Sequence, residues 1–365
     1  MKELLLSDSR LPATAPGAIS GDAAAGGGAA VVSPVAANDI AAGDALPGKP
    51  KGNLKQWIGF GLGIVVLCLA LWGLKMIAGQ VTLAEVMADI ESTPTHLLVA
   101  ASLSAAMSYV VLVGYDWLAT RHLGYDLPLR TLAAASFGSF TMSHALGLTM
   151  LTGGSVRYRT YTRAGVTPGD IAMIILLCGW TFWLSIVAVA GVGLVIAPDL
   201  TEAFKDIVPG AHTWAGIILL TGTVSYLLLA TFWRREFRLW SYRFFIPDGR
   251  ETMLQIFIGA VDLAFAAGAL YLLLPGAGAP DFLTFLTIYA VAMVAGALSH
   301  APGGLGVFEA VILLLMPDAP KAGVLAALVM FRLIYTYIPF LLGLVVIAAG
   351  EWLALRAKRR ARRAV

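Results

Sequence analysis

Hydrophobic segments long enough to cross a bilayer follow one another along most of this chain, and they fix its class of fold. Of the 365 residues, 59% are hydrophobic and only 13% are charged, about half the charged share of a soluble domain. A transmembrane helix needs about 20 apolar residues. The sequence therefore predicts an all-α polytopic membrane protein. Nine segments carry the apolar residues, at about 57–79, 95–119, 131–151, 171–197, 213–233, 253–274, 281–300, 304–316 and 322–350.

The two ends of the chain differ from these segments in composition. Residues 1–52 are rich in Ala, Gly, Pro and Asp and have no helical or strand period. Such a segment buries too little apolar surface to offset its ordering entropy, so we expect a disordered cytoplasmic tail. Residues 53–355 are predicted to form one transmembrane domain. Residues 356–365 are predicted to form a basic cytoplasmic tail.

Two interrupted hydrophobic segments in opposite halves of the chain share a pattern. One runs from Ser143 to Arg159 and reads SHALGLTMLTGGSVRYR; the other runs from Ser299 to Glu309 and reads SHAPGGLGVFE. Each begins with Ser-His-Ala, continues into glycines and then reaches a charged residue. Interrupted segments at corresponding places in two halves are typical of transporter binding sites.

The distribution of Lys and Arg predicts how the segments cross the membrane. Nineteen of the 25 Lys and Arg residues fall in five clusters that we assign to the cytoplasmic side, which also holds both termini. Segment 131–151 has basic clusters at both ends, so both of its ends are predicted to lie on the cytoplasmic side. Stretch 281–316 has the opposite arrangement, with both ends predicted on the outer side. Both placements are possible if each stretch enters the membrane and returns on the side from which it came. The prediction is about six full transmembrane helices plus two re-entrant hairpins in an inverted repeat, with eight transmembrane helices as the alternative.

The second motif contains the stronger candidate binding site. Gly303, Gly304 and Gly306 permit tight turning and close approach of the backbone. A helix is predicted to begin near Leu305, and the free N–H groups of its first turn favour an anion such as phosphate. Glu309, in the first turns of this helix, would then neutralise a cationic headgroup. The alternative is a hairpin closed by glycines, with Glu309 only balancing the helix N-terminus.

The first motif offers a second set of candidates. Gly153 and Gly154 end an apolar run, and Arg157 and Arg159 follow. Two arginines just inside the membrane suit bidentate binding of lipid phosphates. The alternative is ordinary anchoring by positive charge on the cytoplasmic side.

Ionisable residues inside the segments are further candidates. His144 and His300 occupy the matched Ser-His-Ala positions and are candidates for proton coupling, because histidine titrates near neutral pH. Asp262 and Arg332 lie well inside their segments and must face the interior of the bundle. They either pair with each other or act separately, Asp262 on a cationic headgroup or a proton and Arg332 on phosphate. Asp116 is expected to lie near the membrane interface.

Other features limit the classes of function. The basic and aromatic stretch 234–250 is predicted to be a surface helix on an anionic leaflet, which makes lipid the expected partner and excludes nucleic acid. Cys68 and Cys178 are expected to be packing thiols. The sequence has no Cys/His cluster with metal-ligand spacing and no phosphate-binding or dinucleotide fingerprint, so no metal or cofactor is predicted.

Both motifs carry a resemblance to a known family. TGGSVRYRTYTRAGVTPGDIA and SHAPGGLGVFEAVILLLMP resemble the membrane domain of bacterial lysylphosphatidylglycerol synthase/flippase proteins and their stand-alone relatives, over about 55–350. The resemblance implies a multi-pass protein of the bacterial inner membrane that moves aminoacylated or related phospholipids between leaflets. The motif positions of the family correspond here to Gly153, Gly154, Arg157, Pro302, Gly303, Gly304, Gly306 and Glu309.

The chain departs from the two-part members of that family in one respect. Those members continue into a soluble aminoacyl-transferase domain, whereas this sequence ends at Val365. We therefore expect a translocase rather than a lipid synthase. A separately encoded synthase partner and a homo-oligomer are left open. The alternative functions are an integral-membrane enzyme or subunit that modifies lipid-linked substrates, and a scaffold without a ligand.

Overall fold

The structure, a computed structural model, describes residues 82–147, 152–196, 210–232, 236–239, 242–245, 247–299 and 301–363. All of them belong to one compact unit, residues 53–365. The predicted tail at 1–52, the first predicted segment at 57–79, Cys68 and His300 lie outside the described residues.

Helices account for nearly all of the described chain. They are α1 (Leu83–Ser92), α2 (Thr95–His122), α3 (Leu129–Leu146), α4 (Thr152–Arg163), α5 (Pro168–Ile196), α6 (Ala211–Phe232), α7 (Gly249–Tyr271), α8 (Phe282–Leu298), α9 (Val307–Leu315), α10 (Lys321–Phe331) and α11 (Ile338–Arg363). A 3₁₀ turn, Pro302–Gly304, precedes α9. A π-helical segment, Arg332–Tyr337, joins α10 to α11.

The lengths of these helices confirm the all-α polytopic class. Within the described residues, five helices are long and apolar enough to cross a membrane: Thr95–His122, Pro168–Ile196, His212–Phe232, Gly249–Tyr271 and Lys321–Gly350. Helix α8 is apolar but shorter. The protein is therefore a multi-pass membrane protein.

Two helical hairpins lie where the sequence predicted interruptions. Helix α3 is followed by α4, which has 12 residues, and α8 is followed by α9, which has nine. At 1.5 Å per residue, these second arms are only about 18 and 14 Å long, too short for a hydrocarbon core of about 30 Å. Residues 152–163, which follow the predicted segment 131–151, form helix α4.

Small side chains let the two central helices approach closely. Helix α2 packs along α7 more extensively than any other two described helices pack together. Both helices carry fully buried alanines, including Ala101 on α2 and Ala267 on α7. The Ser104 hydroxyl donates to the Phe265 carbonyl across the contact at 2.7 Å. Close packing of small residues with interhelical hydrogen bonds is how helices associate in lipid.

The basic stretch 234–250 does not form the predicted surface helix. Residues Glu236–Leu239 (β1) and Tyr242–Phe245 (β2) pair as an antiparallel hairpin with Arg238 opposite Arg243. Aromatic residues recur through both strands in the sequence, and aromatic residues favour strands over helices. This preference outweighs the charge pattern on which the helix prediction rested.

The start of α8 gives a testable contribution to stability. The Asp281 carboxylate accepts hydrogen bonds from the Thr284 hydroxyl at 2.6 Å and from the backbone N–H groups of Leu283 and Thr284. Replacing Asp281 with alanine should cost about 1 kcal/mol, the usual value of an N-cap, whereas alanine at the exposed Asp126 in the α2–α3 loop should cost almost nothing. The Thr284 hydroxyl, more than any other cause, lowers the pKa of Asp281 in the folded state. The cap should therefore stabilise fully above the ordinary aspartate pKa of about 3.9 and fade as pH falls through the lowered value. Unfolding in detergent at several pH values would measure both effects, and an equal loss from Asp126→Ala would contradict the assignment.

Candidate functional site

A sealed ion pair joins α4 to α2. The Arg157 guanidinium donates to both carboxylate oxygens of Asp116, from Nε and from Nη2, each at 2.8 Å. The Tyr161 hydroxyl donates to Asp116 Oδ1 at 2.7 Å, and the Phe140 ring lies 4.7 Å from Arg157 Cζ. The side chains of Arg157 and Asp116 are 1% and 0% exposed. Because both side chains are buried, a lipid headgroup cannot reach this bidentate pair in this arrangement.

Both expectations for this part of the site need correction. Arg157 points into the bundle, so it neither faces a leaflet nor anchors the chain at the cytoplasmic surface. Asp116, expected near the membrane interface, is the fully buried partner of Arg157. The positions share one face of α4: Gly153, Arg157 and Tyr161 are four residues apart, and all three are buried. That spacing in the sequence is the signal that a helix with an inward-facing arginine was present.

The glycines of the first motif serve helix packing. A β-carbon on Gly153 would collide with the Ser143 hydroxyl and lie 2.8 Å from the Ser139 carbonyl oxygen of α3. The Ser139 hydroxyl donates to the Gly153 carbonyl at 2.9 Å. A β-carbon on Gly154 would lie 3.3 Å from Ile175 Cδ1 of α5. These glycines therefore let α4 lie directly against its neighbours.

The two hairpins meet where the first arm of each one ends. Gly303 adopts a left-handed conformation with φ +60°, and a β-carbon there would lie 2.8 Å from the His144 carbonyl oxygen. His144 is in the last turn of α3. Arg332 donates from Nη1 to the Gly303 carbonyl at 2.8 Å. We call the group of His144, Gly303, Glu309 and Arg332 the hairpin junction.

A second arginine–carboxylate pair occupies this junction. Glu309 Oε1 accepts from Arg332 Nε and lies 2.7 Å from both Nε and Nη2. Glu309 Oε2 accepts from the backbone N–H of Gly306, also at 2.7 Å. The side chains are 14% exposed for Arg332 and 12% for Glu309. This pair can thus be reached from outside the protein, whereas the pair of Arg157 and Asp116 cannot.

The helix N-terminus that was predicted to bind an anion is already occupied by the carboxylate of Glu309. Helix α9 begins at Val307, two residues later than expected, and Gly306 with φ +83° is its N-cap. The Glu309 carboxylate takes the place of an external anion at this N-terminus. Gly304, with φ +65°, lets the turn approach α8, since a β-carbon there would lie 3.3 Å from Gly296 Cα.

The interpretation of Asp262 and Arg332 as partners is wrong. Asp262 is buried on α7 and accepts hydrogen bonds from the Ser108 hydroxyl at 2.5 Å and the Tyr115 hydroxyl at 3.2 Å. Arg332 uses its three nitrogens on Glu309 and Gly303 instead. The two residues therefore belong to neighbouring but separate clusters.

Aromatic and hydroxyl groups link Asp262 with the hairpin junction. The Ser108 hydroxyl lies 2.9 Å from that of Tyr335. The Tyr335 ring stacks on His144, with ring centres 5.5 Å apart. The Tyr109 hydroxyl reaches His144 Nδ1 at 3.2 Å and donates to the Tyr335 carbonyl at 3.0 Å. Sequence reasoning missed Ser108, Tyr109, Tyr115 and Tyr335. The signal for the first three was that hydroxyl-bearing residues recur along the apolar helix α2.

Arg159 lies apart from these clusters. It is exposed and lines a shallow depression of about 400 Å³ between α4 and the start of α5, together with Tyr158 and Pro168. Across the part of the chain that the structure describes, no three His, Cys, Asp or Glu side chains are grouped to hold a metal ion.

Fold and site together define a class of protein: a polytopic helical membrane protein in which two short-armed hairpins meet at a buried, charged junction. Comparison with known proteins gives the family. The model of the lysylphosphatidylglycerol synthase transmembrane region matches residues 56–343, and the chain belongs to that family.

Three relatives show how far the likeness extends. The uncharacterized protein slr0712 of Synechocystis is 35% identical over 76% of this chain and 86% of its own length. The inner membrane protein YbhN of Escherichia coli is 28% identical over 85% of this chain and 96% of its own length. The phosphatidylglycerol lysyltransferase of Staphylococcus aureus is 25% identical over 68% of this chain, but over only 29% of its own length.

Proposed function

We propose that this protein translocates a phospholipid, of the aminoacyl-phosphatidylglycerol type, between the leaflets of a bacterial inner membrane. The observation that carries the proposal is the partly exposed pair of Arg332 and Glu309 at the meeting point of the hairpins. Membership of the family supports lipid as the substrate class. The name of the Staphylococcus aureus relative, a phosphatidylglycerol lysyltransferase, supports an aminoacylated headgroup. The likeness to an inner membrane protein of Escherichia coli supports the location.

The hairpins are proposed to be re-entrant, one from each side of the membrane. The short second arms, α4 and α9, support this because neither is long enough to cross. The order of described helices is the same in both halves: α2, the hairpin α3–α4 and α5 correspond to α7, the hairpin α8–α9 and α10–α11. The Lys and Arg distribution supports opposite orientation of the two halves, with cytoplasmic termini. Such hairpins expose irregular backbone inside the protein at membrane depth, where a polar headgroup can pass.

The chemistry proposed for the junction is an exchange of anions. In the resting state, Glu309 satisfies both Arg332 and the N–H of Gly306. A lipid phosphate offers the same kind of oxygens, so it can replace the carboxylate on both donors. The displaced Glu309 is then free to balance a cationic aminoacyl group on the same headgroup. The phosphate leaves when Glu309 returns, so neither charge is left unpaired.

Purified full-length protein in liposomes provides the direct test. Short-chain fluorescent lipids with phosphatidylglycerol, lysyl-phosphatidylglycerol and phosphatidylcholine headgroups are placed in both leaflets, and dithionite bleaches those in the outer one. We expect protein-dependent exchange, fastest for the aminoacylated lipid. Exchange no faster than in empty liposomes for every headgroup would refute translocation. Chemical turnover of a lipid by the same sample would favour the alternative of a lipid-modifying enzyme.

Substitutions at Arg332 test its role in binding the phosphate. Arg332→Gln removes the charge, and we expect it to slow exchange about tenfold, equivalent to about 1.4 kcal/mol. Arg332→Lys keeps the charge but loses the planar fork, so its rate should fall between those of the glutamine variant and the wild type. Arg130→Gln, at an exposed arginine in the first turn of α3, is the matched control and should not change the rate. Equal rates for Arg332→Gln and the control would remove Arg332 from the proposed site.

A further inference from the structure

Asp262 differs from Asp116 and from the partly exposed Glu309 in having no cation beside it among the described residues. Asp116 is paired with Arg157 and Glu309 with Arg332. Asp262 is 5% exposed, and its two hydrogen-bond partners are both hydroxyl groups. A carboxylate buried without a compensating positive charge is so costly that such a group takes up a proton instead.

The groups that face Asp262 on the neighbouring elements are neutral. Those with which it interacts electrostatically are the phenols of Tyr109 and Tyr115 on α2, Tyr289 on α8 and Tyr335 on the π-helical segment. A phenol is uncharged at neutral pH. Arg332 interacts electrostatically with Tyr289 and is already engaged by Glu309 and Gly303. The titratable His144 of α3 contacts Tyr109 and Tyr335.

The hydrogen-bond geometry suits a protonated acid. The distance of 2.5 Å between Asp262 Oδ1 and Ser108 Oγ is at the short end for a bond between two oxygens. A protonated Asp262 would donate to Ser108 Oγ, and Ser108 would in turn donate to the Tyr335 hydroxyl at 2.9 Å. Tyr115 donates to the other oxygen, Oδ2. Every polar atom of the acid then has a partner.

A polar path leads from Asp262 toward one end of α7. Gln255 and Glu251 lie seven and eleven residues before Asp262, which keeps them on the same face of the helix. Gln255 Oε1 is buried with no hydrogen-bond partner. It borders a cavity of about 10 Å³, lined also by His122 and Glu251, which form a pair at 2.7 Å.

That cavity has a size and lining that fit a single water molecule, because a site of about this volume with polar partners holds one. Between it and Asp262 lies the hydroxyl of Ser185, which donates to the Gln255 carbonyl at 3.1 Å. Gly259 lies against Ser185 and the Tyr115 hydroxyl. Hydroxyl groups and a cavity large enough for one water therefore lie along α7 between the partly exposed Glu251 and the buried acid.

We propose that Asp262 is a proton-binding site, reached from the Glu251 end of α7 through Gln255 and Tyr115, whose occupancy is coupled to the hairpin junction. The step is a simple proton transfer: a proton from water at Glu251 neutralises the Asp262 carboxylate, and its release restores the charge. The site is too enclosed for a headgroup, so its ligand is a proton. The coupling rests on the proposed function, whereas the proton site does not.

The π-helical segment is the element that carries the coupling. Tyr335 contacts Ser108, the partner of Asp262, and Arg332 on the same segment holds Glu309 and Gly303. π-helical turns are rare and frequently found at functional sites. Loss of the proton leaves a carboxylate that requires two hydroxyl donors. The O–H group of Ser108 must then turn away from the Tyr335 hydroxyl and donate to Asp262. That change acts directly on the segment that holds the hairpin tips.

Infrared spectroscopy of the full-length protein in membranes tests the proton site without any transport. We expect a carbonyl stretching band of a protonated carboxylic acid at neutral pH, and its loss in Asp262→Asn. Glu91→Gln, which removes an exposed carboxylate of α1, is the matched control and should leave the band unchanged. Asp262→Glu should keep a band at a shifted position, so the proposal is still tested if the asparagine variant folds poorly. A band equally strong in wild type and Asp262→Asn, or no band in wild type, would overturn the site.

Lipid exchange with and without a pH gradient tests the coupling. We expect the gradient to change the wild-type rate, and Asp262→Asn to lose that response. If wild type moves lipid but ignores the gradient, the coupling is wrong and the proposed function stands. If wild type moves no lipid at any pH while the infrared band behaves as expected, the proposed function fails and the proton site stands.

Discussion

Asp116→Ala should destabilise the folded protein by about 3–5 kcal/mol, because it leaves the Arg157 guanidinium buried with no counter-charge. Arg157 is 1% exposed, and in this position water cannot replace the lost carboxylate. The Tyr161 hydroxyl would lose its acceptor as well. The effect should appear as a large drop in the midpoint of unfolding, measured with denaturant or heat in detergent. Size-exclusion chromatography would check the yield of intact protein.

A second variant separates the ion pair from mere loss of volume. Asp116→Leu combined with Arg157→Met replaces both charges by apolar groups, and such replacements are often neutral or stabilising. We therefore expect the double variant to recover most of the stability lost in Asp116→Ala. Arg130→Met, at an exposed arginine, should change stability by less than about 0.5 kcal/mol. A double variant as unstable as the single one would mean that the pair does more than balance buried charge.

The parts of the fold that sequence reasoning predicted are those that depend on composition along the chain. Apolar segments gave the bounds of the long helices to within a few residues, since the bilayer demands a minimum length. Two glycine motifs at matched positions predicted the two hairpins. Tight turning explains the glycines of the second motif, whereas Gly153 and Gly154 let α4 pack closely against its neighbours. The family followed from the same motifs.

The parts that were missed depend on which helix faces meet. Arg157 and Asp116 are 41 residues apart, and each had a plausible solvated position at a segment end when considered alone. Pairing of Arg332 with Asp262 is one of the two alternatives that the sequence offers, because both lie deep in their segments. Glu309 proved closer, since the Pro302–Gly304 turn folds α9 back toward the π-helical segment. Hydroxyl groups such as those of Ser108 and Tyr335 carry no charge signal at all.

The inward-facing charges that the sequence did not reveal are the ones on which the proposed mechanism depends. Positive charge near segment ends sets topology, so an arginine that has turned inward looks like a topological signal in the sequence. The structure separates three acids by their surroundings: Asp116 is sealed with a cation, Glu309 shares a reachable cation, and Asp262 has hydroxyls only. On these surroundings rest the structural role of Asp116 and the two proposals, an exchangeable anion site at Glu309 and a proton site at Asp262.

Gly303→Ala should slow lipid exchange by about a hundredfold, the size of loss that a displacement of about 1 Å causes at a reacting centre. Two effects combine at this position. A left-handed conformation costs an alanine about 1–2 kcal/mol, and its β-carbon would lie 2.8 Å from the His144 carbonyl oxygen. The second effect forces the two hairpin tips apart and pulls Arg332 away from the Gly303 carbonyl.

Gly124 provides the matched control for this prediction. It has φ +81° in the loop between α2 and α3, and a β-carbon there would meet no atom within 4 Å. Gly124→Ala therefore carries the same backbone cost without the collision, and it should lower stability slightly while leaving lipid exchange near the wild-type rate. Measuring unfolding and exchange for both variants separates strain from misplacement. If both alanines slow exchange equally, the contact between the hairpin tips is not the site of lipid passage, because only Gly303 lies at that contact.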